Sequence, residues 1–308
     1  MANQLKIIGS CYKNFGLKHT SNSQNTIPED IRFLKYILMT EKERAKLPSN
    51  CFFEGGKLVH EIAESALCNN KTVDEVILVN SRIKKIIDNF TPLDSKDELK
   101  FKHIIDKKNL KSISENHLKA INEDNELNKC SWIAEQEHTL WLDPEIFTYF
   151  LIYMDLIGTA PSGNVGEQIY IGDLKNVFGT LTKTKNGFSY SNKKAPVIPH
   201  HSHLMQISLY CECIPGSKPF ISYASNCDYK LFTEDNCDEL KPENRKKYIQ
   251  QLKVYQLSWQ KKLEIANGDI KILSQLVRPD FSEMRKKNNI WWSGINNEYR
   301  ERFKKYYA

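Results

Sequence analysis

Two neighbouring stretches of the sequence combine strand-forming residues with a carboxylate that an apolar strand would not accommodate. In residues 149–158 the acid is Asp155, and in residues 168–178 it is Asp173, followed two positions later by Lys175. Side chains two residues apart on a strand point to the same face, so Asp173 and Lys175 are predicted to lie side by side. Two acids and a lysine grouped in this way are suited to hold a divalent cation and polarise a phosphate.

The composition is that of a folded chain. Of the 308 residues, 40% are hydrophobic and 27% are charged, unlike the composition of a disordered protein. This length suits one elaborated domain or two small ones, and we expect residues 1–308 to form a single domain. The N-terminus lacks a signal-peptide pattern, and no run approaches the roughly 18 apolar residues that a membrane helix needs. We therefore expect a cytoplasmic protein that does not use a membrane.

The net charge of +6 is concentrated towards the C-terminus. From Lys241 onward there are 16 Lys/Arg against 7 Asp/Glu, so this segment carries +9 and leaves −3 for the rest of the chain. Aromatic residues are interleaved with these cations: Tyr248, Tyr255, Trp259, Trp291, Trp292, Tyr299, Tyr306 and Tyr307. Two interpretations stay open. The segment is either a nucleic-acid surface or a pair of amphipathic helices with aromatics inward and lysines in water.

Helical patterns fill most of the sequence before the first strand. Residues 1–25 are polar and are predicted to be an irregular lead-in. Thr26–Glu29 has the form of a capping box with proline in the first turn, and it predicts a helix that runs to about Leu47. A second capping box at Thr72–Glu75 introduces residues 70–129, which are lysine-rich with apolar residues at helical intervals. We predict a helical insertion there, arched over a cleft; a decorative lobe is the alternative.

A helix predicted over residues 52–67 carries a line of three unusual residues. Gly56, His60 and Glu64 are four positions apart, so they stack along one side of the helix. A glycine inside a helix lowers its stability by roughly 1 kcal/mol relative to alanine, so Gly56 suggests close approach by a ligand or another segment.

Strand character begins at Trp132. Residues 132–142, 146–158 and 168–178 predict an antiparallel meander, with a turn at residues 160–164. Residues 179–199 are polar and basic and are predicted to be a loop. The remaining predictions are a helix at 200–213, strands at 220–224 and 229–233, and a basic helical segment at 240–308 that breaks at Asn267-Gly268 and at Pro279.

Four motifs follow one another along these elements: G-x-x-x-H-x-x-x-E at residues 56–64, an acid at Asp155, Asp-Leu-Lys at 173–175, and Q-x-x-x-Y at 206–210. This order resembles the RecB-like branch of the PD-(D/E)XK nuclease superfamily, and it is similar to mitochondrial genome maintenance exonucleases and phage RecB-like exonucleases. Each motif alone is common, whereas the four in this order are specific. The resemblance implies an α/β fold with a restriction-endonuclease-like core, in which a central mixed sheet is flanked by helices.

The resemblance also implies which residues would carry the chemistry. His60, Asp155 and Asp173 would be metal ligands, joined by the backbone carbonyl of Leu174. Lys175 would orient or activate the attacking water and stabilise the charge that develops on the phosphate. Oxygen-rich ligands suit Mg²⁺ or Mn²⁺, and a histidine ligand favours Mn²⁺.

A second set of residues would support these groups. Glu64 would hold His60 or an adjacent base, while Gln206 and Tyr210 would brace the site and contact the DNA backbone. Gly56 belongs to the same set. Members of the family often have Thr or Ser after the lysine; Asn176 stands there in this chain and retains a hydrogen bond for a phosphate.

Other reactive side chains have simpler explanations. His200, His201 and His203 could bind a metal, but we expect them to flank the start of a helix. Of Glu135 and Glu137, one could point towards the site, or both could face solvent. The cysteines at 11, 51, 68, 130, 211, 213, 227 and 237 form no C-x-x-C pair, so we expect reduced structural thiols and no iron–sulfur cluster.

The activity implied is metal-dependent hydrolysis of DNA phosphodiester bonds, by an exonuclease acting on single-stranded ends. Such an enzyme would work in DNA repair, recombination or replication, in the cytoplasm of a bacterium or of a phage-infected cell. The chain contains no G-x-x-x-x-G-K-[ST] motif, so no ATPase is expected. Two alternatives remain: an endonuclease of the same superfamily, and a catalytically silent DNA-binding subunit.

Overall fold

The computed structural model describes residues 8–161, 166–185, 187–286, 289, 291–292 and 294–307. Two compact units divide the chain: Met1–Pro48, Thr139–Ile152 and Lys247–Ala308 form the first unit, and Ser49–His138 and Tyr153–Lys246 form the second unit. The helices are α1 (Ser10–Lys13), α2 (Asn22–Thr26), α3 (Glu29–Phe33), α4 (Glu41–Ala45), α5 (Cys51–Asn69), α6 (Val73–Val79), α7 (Ser81–Asn89), α8 (Ser95–Ile104), α9 (Lys107–Asn122), α10 (His201–Cys213), α11 (Pro242–Ala266), α12 (Ile270–Leu276), α13 (Phe281–Arg285) and α14 (Asn297–Lys304). The strands are β1 (Ser131–Leu140), β2 (Phe150–Pro161), β3 (Glu167–Asn176), β4 (Thr180–Thr184), β5 (Gly187–Ser191), β6 (Lys218–Ala224) and β7 (Tyr229–Thr233).

A mixed five-stranded sheet has the order β1-β2-β3-β6-β7. β2 and β3 are antiparallel, β3 and β6 are parallel, and β6 and β7 are antiparallel. The chain returns from β3 to the parallel strand β6 by way of α10, as parallel pairing requires a long connection. The expected α/β fold, a central mixed sheet flanked by helices, is confirmed. The turn predicted at 160–164 falls mostly on residues outside those described.

The two faces of β3 have different chemistry. Leu174 is fully buried in a cluster with Ala63 of α5, Ile121 of α9 and Leu156 of β2. Because side chains alternate along a strand, Asp173 and Lys175 point to the opposite face, where Lys175 meets Gln206 of α10. The apolar face fixes the register of β3, and this register places the charged pair under α10.

The helices of residues 70–129 pack against α5. Phe101 and Ile104 of α8 and Leu110 and Ile113 of α9 share one buried cluster with apolar residues of α5. The second capping box is present as predicted, with Thr72 and Glu75 bonded to each other's backbone. These helices therefore contribute core to the second unit, and α8 and α9 do not stand away from α5 as an arch would.

Most aromatic residues of the basic C-terminal segment pack against the core of the first unit. Trp259 and Trp292 are almost fully buried with Phe33 and Phe303, and further aromatic rings pack against this cluster: Trp291, Tyr299, Tyr306 and Tyr307. Tyr255, by contrast, is exposed. The clustered aromatics thus face inward, as the amphipathic interpretation predicted.

Three predictions of local structure were wrong. The capping box expected at Thr26–Glu29 does not form, because Thr26 ends α2 and Pro28 precedes α3 without a side-chain cap. The single helix expected to Leu47 is interrupted by extended backbone at Met39, after which Thr40 and Glu43 form a capping box for α4. The loop expected at 179–199 contains the antiparallel hairpin of β4 and β5.

The breaks in the C-terminal helical segment occur where they were predicted: α11 ends at Ala266 and α12 ends at Leu276. All eight cysteines are free thiols, and Cys227 is exposed. Among the helices in the described ranges, none has the length and apolar character that crossing a membrane requires.

Two adjacent glycines of α5 predict opposite effects of an added methyl group. A Cβ at Gly55 would lie 2.5 Å from the Cγ2 of buried Ile104, whereas at Gly56 its nearest neighbour would be Asn176 Nδ2 at 3.6 Å. Close approach was expected at Gly56 and is found at Gly55. We expect Gly55→Ala to lower the free energy of unfolding by about 1–3 kcal/mol. Gly56→Ala is expected to raise it by up to about 1 kcal/mol, because alanine favours the helix. Urea denaturation measures both.

Candidate metal centre

The two strand acids lie where the pairing of β2 and β3 ends. The ladder runs from Leu156 opposite Gly172 to Pro161 opposite Glu167. One residue beyond Leu156, the backbone N–H of Leu174 donates to Oδ2 of Asp155 at 2.8 Å. A side-chain carboxylate thus takes the place of the next strand-to-strand hydrogen bond. This hydrogen bond holds the Asp155 carboxylate at the end of the β2–β3 pairing.

Helix α5 brings two more potential ligands to Asp155. His60 Nδ1 lies 3.7 Å from Asp155 Oδ2, and one ligand atom from each of His60, Glu64 and Asp155 lies within 4.8 Å of the others. His60 and Glu64 are one helical turn apart, so both reach the same point. In the described part of the chain this is the one such group of histidine, cysteine or acidic residues. His60 and Asp155 come together as expected, and Glu64 stands beside them as a direct ligand candidate.

Asp173 lies next to this group but is not one of the three. Its side chain is fully buried, and Oδ1 accepts a hydrogen bond from Lys175 Nζ at 2.7 Å. Oδ2 has no hydrogen-bond partner among the described residues. A buried carboxylate oxygen without a partner is unfavourable unless a donor or cation satisfies it. This oxygen would be satisfied by a divalent cation shared with the carboxylate of Asp155, or by a proton that the two neighbouring carboxyl groups share.

The crowding of acids favours their protonated forms. Burial raises the pKa of Glu64 to about 9, and the negative charges of Asp155, Glu135 and Glu61 add to this shift. Burial likewise raises the pKa of Asp173 to about 7, although the Lys175 ammonium opposes the shift. Such a cluster of acids is stabilised by a bound cation, because the cation compensates their mutual repulsion.

The two basic residues have opposite protonation states near pH 7. Burial lowers the pKa of His60, an effect that the charge of Asp155 opposes, so the imidazole is neutral and able to ligate a metal. His60 also has a backbone hydrogen bond with Leu174, which places that peptide beside the ligand group. Burial lowers the pKa of Lys175, but the carboxylates of Asp173 and Asp155 outweigh it, and the net shift is upward. Lys175 is therefore a cation.

Helix α10 holds Lys175 from the other side. Gln206 Oε1 accepts from Lys175 Nζ at 3.2 Å, and Gln206 Nε2 donates to the hydroxyl of Tyr210 one turn later. Burial keeps the pKa of Tyr210 well above its usual range, so the hydroxyl is neutral. The Q-x-x-x-Y motif thus lies beside the strand acids, and Gln206 links Lys175 to Tyr210.

A buried histidine that the sequence did not single out connects the same region. His117 of α9 is fully buried; its Nδ1 lies 2.8 Å from Ser222 Oγ and its Nε2 lies 3.0 Å from Asn176 Oδ1. Asn176 Nδ2 in turn donates to the carbonyl of Gly56 at 3.3 Å. Asn176 and Gly56 therefore link the end of β3 to α5, one turn before His60. The sequence signal that could have identified His117 is the position of a histidine on the apolar side of α9.

The other reactive residues have identifiable partners. His200 and His203 lie at the start of α10 as expected. The backbone N–H of His200 donates to the Tyr223 hydroxyl at 3.0 Å, and His203 Nδ1 lies 2.6 Å from the same oxygen. Glu135 lines a cleft beside His60, while Glu137 hydrogen-bonds the hydroxyl of Tyr153.

Several solved structures are similar to parts of this chain. No protein-family model matches the chain, and no curated protein matches it. One solved structure, the crystal structure of SSO0001, is similar at a TM-score of 0.30 and 11% identity, covering 67% of this chain and 84% of that chain. A TM-score this low supports no conclusion about fold or function.

Proposed function

We propose that this protein is a metal-dependent deoxyribonuclease that removes nucleotides from single-stranded DNA ends. One observation carries most of the weight: His60, Glu64 and Asp155 offer ligand atoms within 4.8 Å of one another, beside an Asp173–Lys175 pair at 2.7 Å. Carboxylates and a neutral histidine suit Mn²⁺ or Mg²⁺. A cation held there stands next to a fixed ammonium group, and phosphodiester hydrolysis needs both kinds of charge.

Each residue would have a separate task. His60, Glu64 and Asp155 would hold the cation, and the free oxygen of Asp173 would complete the set. A bound Mg²⁺ or Mn²⁺ supplies Lewis acidity and a more acidic water. Lys175 would stabilise negative charge on the phosphate oxygens and orient the attacking water. Because its pKa is raised, Lys175 acts as a cation rather than as a general base.

Gln206 and Tyr210 would keep the lysine in place. Gln206 accepts from the ammonium and is itself held by a neutral tyrosine, so Lys175 keeps one direction. A fixed charge is more effective in catalysis than a mobile one, because it needs no reorganisation during the reaction. The preference for DNA and for single-stranded ends is proposed from the family resemblance.

The test compares linear and circular single-stranded DNA of the same sequence. The linear substrate carries a label at either end, and each substrate is incubated with Mg²⁺, with Mn²⁺ or with EDTA. We expect loss of the linear strand with either metal, intact circles, and no reaction in EDTA. Cleavage of circles at a similar rate would favour the endonuclease alternative. Binding without cleavage in either metal would favour the silent DNA-binding subunit.

A further inference from the structure

A second charged cluster lies beside the metal centre, and the mechanism above does not use it. Arg82, near the start of α7, places Nη1 3.0 Å from Glu61 Oε2 and 2.9 Å from Glu135 Oε2. Glu61 is held in turn by Asn80, the N-cap of α7, whose Nδ2 donates to Oε1 at 2.7 Å. The side chain of Arg82 is nevertheless 58% exposed. The guanidinium is therefore positioned and still accessible.

The partner of Arg82 has an unusual backbone. Glu135 lies in the middle of β1 with a φ of 47°, in the left-handed region that a residue with a Cβ seldom adopts. Strained backbone persists only where the surrounding structure requires it, and it is concentrated at functional sites. Here the strained residue is the one whose carboxylate meets Arg82, with a second contact from Nη2 to Oε1 at 3.4 Å.

Arg82 and Glu135 both line a cleft of about 540 Å³ that reaches the metal centre. His60 forms part of its wall, so the cleft and the ligand group share a residue. Lys57 and Lys85 contribute two more cations. Lys57 pairs with Glu54, whereas Lys85 has no ion-pair partner within the described part of the chain. The cleft thus brings three cations to the site, among three carboxylates that also line it: Glu54, Glu61 and Glu135.

We propose that this cleft binds the sugar–phosphate backbone of a single nucleic-acid strand, with Arg82 as its phosphate-binding residue. Glu61 and Glu135 together hold the guanidinium in place, and a phosphate would replace the more exposed of the two carboxylates, that of Glu135. An exposed ion pair contributes little stability, so the exchange is easy, and the planar guanidinium fits two phosphate oxygens as well as it fits a carboxylate. This inference rests on the proposed function, since it supplies the strand path to that site.

The test is binding of a fluorescein-labelled oligothymidylate in EDTA, followed by fluorescence anisotropy at several salt concentrations. We expect Arg82→Ala to weaken binding on the order of tenfold and to reduce the salt slope by about 0.7, the loss of one phosphate contact. Arg82→Lys should keep the salt slope and recover part of the affinity. Glu135→Gln should tighten binding, because it removes the carboxylate that competes with phosphate for the guanidinium. Lys218→Ala, which removes a cation paired with Glu126, is the matched control and should leave the affinity unchanged.

A double-mutant cycle separates this inference from a general effect of charge. If Glu135 acts by holding Arg82, Glu135→Gln has no effect in the Arg82→Ala background. An equal gain in both backgrounds, or an unchanged affinity for Arg82→Ala, would overturn the inference. Absence of strand binding by the wild-type protein would overturn it as well.

Cleavage kinetics keep this inference apart from the proposed function. If the wild-type protein cleaves DNA, Arg82→Ala should raise KM and leave kcat unchanged. An unchanged KM would contradict strand binding in the cleft and would not contradict the nuclease proposal. If the wild-type protein cleaves nothing with either metal but binding depends on Arg82 as described, the nuclease proposal fails and the strand-binding cleft stands.

Discussion

Replacement of Lys175 with alanine is expected to lower kcat for DNA cleavage by about 10²–10³-fold. The ammonium is held by Asp173 at 2.7 Å and Gln206 at 3.2 Å, beside the ligand group, so its removal takes away a fixed positive charge at the phosphate. Affinity for Mn²⁺ should be kept or increased, because a neighbouring cation that repels the metal has been removed. Single-turnover cleavage assays and titration calorimetry with Mn²⁺ measure the two quantities.

The split between catalysis and metal binding identifies the role of the lysine. A loss of both in Lys175→Ala would mean that the lysine maintains the structure of the site. Undiminished metal-dependent cleavage would contradict the mechanism outright. Lys218→Ala serves again as control, since Lys218 pairs with Glu126 and lines no part of the site.

The parts of the site that the sequence predicted are those set by local backbone geometry. His60 and Glu64 are four residues apart on a helix, Gln206 and Tyr210 repeat that spacing, and Asp173 and Lys175 are two apart on a strand. In each case the secondary structure alone decides that the two side chains share a face. These relations need no knowledge of tertiary packing.

Contacts between distant segments could not be predicted in the same way. Glu64 reaches Asp155 only because Ala63 packs α5 against the apolar face of the sheet, and no local pattern specifies that packing. His117 meets Asn176 and Ser222 across separations of 59 and 105 residues. Such contacts depend on the fold as a whole. This dependence explains why Glu64 was expected to support His60 and not to be a metal ligand itself.

Competing local signals explain the misplaced helix. Thr26 and Glu29 have capping-box spacing, but the Thr26 hydroxyl bonds back to the carbonyls of Asn22 and Ser23 in α2. Ser21 supplies the cap of that helix instead. A threonine hydroxyl can bond either to the carbonyls of the preceding turn or to the backbone N–H groups of a following helix. The packing of the neighbouring segments determines which of the two forms.

Affinity for Mn²⁺ is expected to rise steeply with pH between about 6 and 8. Glu64, with a pKa of about 9, and Asp173, with a pKa of about 7, must lose their protons before they can ligate a metal. Near pH 6 binding would release two protons, so affinity rises up to about a hundredfold per pH unit; above pH 7 one proton remains, and the rise is about tenfold per unit. Calorimetry under nitrogen in buffers of different ionisation enthalpy counts these protons.

Variants assign each proton to its residue. Glu64→Gln should remove the rise in Mn²⁺ affinity above pH 7 and leave the rise below pH 7. Asp173→Asn should leave the rise in affinity above pH 7. An unchanged pH dependence in Glu64→Gln would show that Glu64 gives up no proton to the metal, and would return it to a supporting role.

The same two protons make the metal-free protein less stable as pH rises. Both carboxyl groups have a higher pKa in the folded protein than the ordinary values of 4.5 and 3.8, so between about pH 4 and 9 the folded state binds more protons than the unfolded state. The free energy of unfolding in EDTA should therefore fall with pH through this window, while stabilisation by Mn²⁺ grows. Thermal unfolding with EDTA or Mn²⁺ at pH 6 and pH 8 should show a Tm difference that widens with pH. Glu64→Gln should narrow it, because this variant removes the larger pKa shift. A Tm difference that is constant with pH would exclude a proton-coupled metal centre.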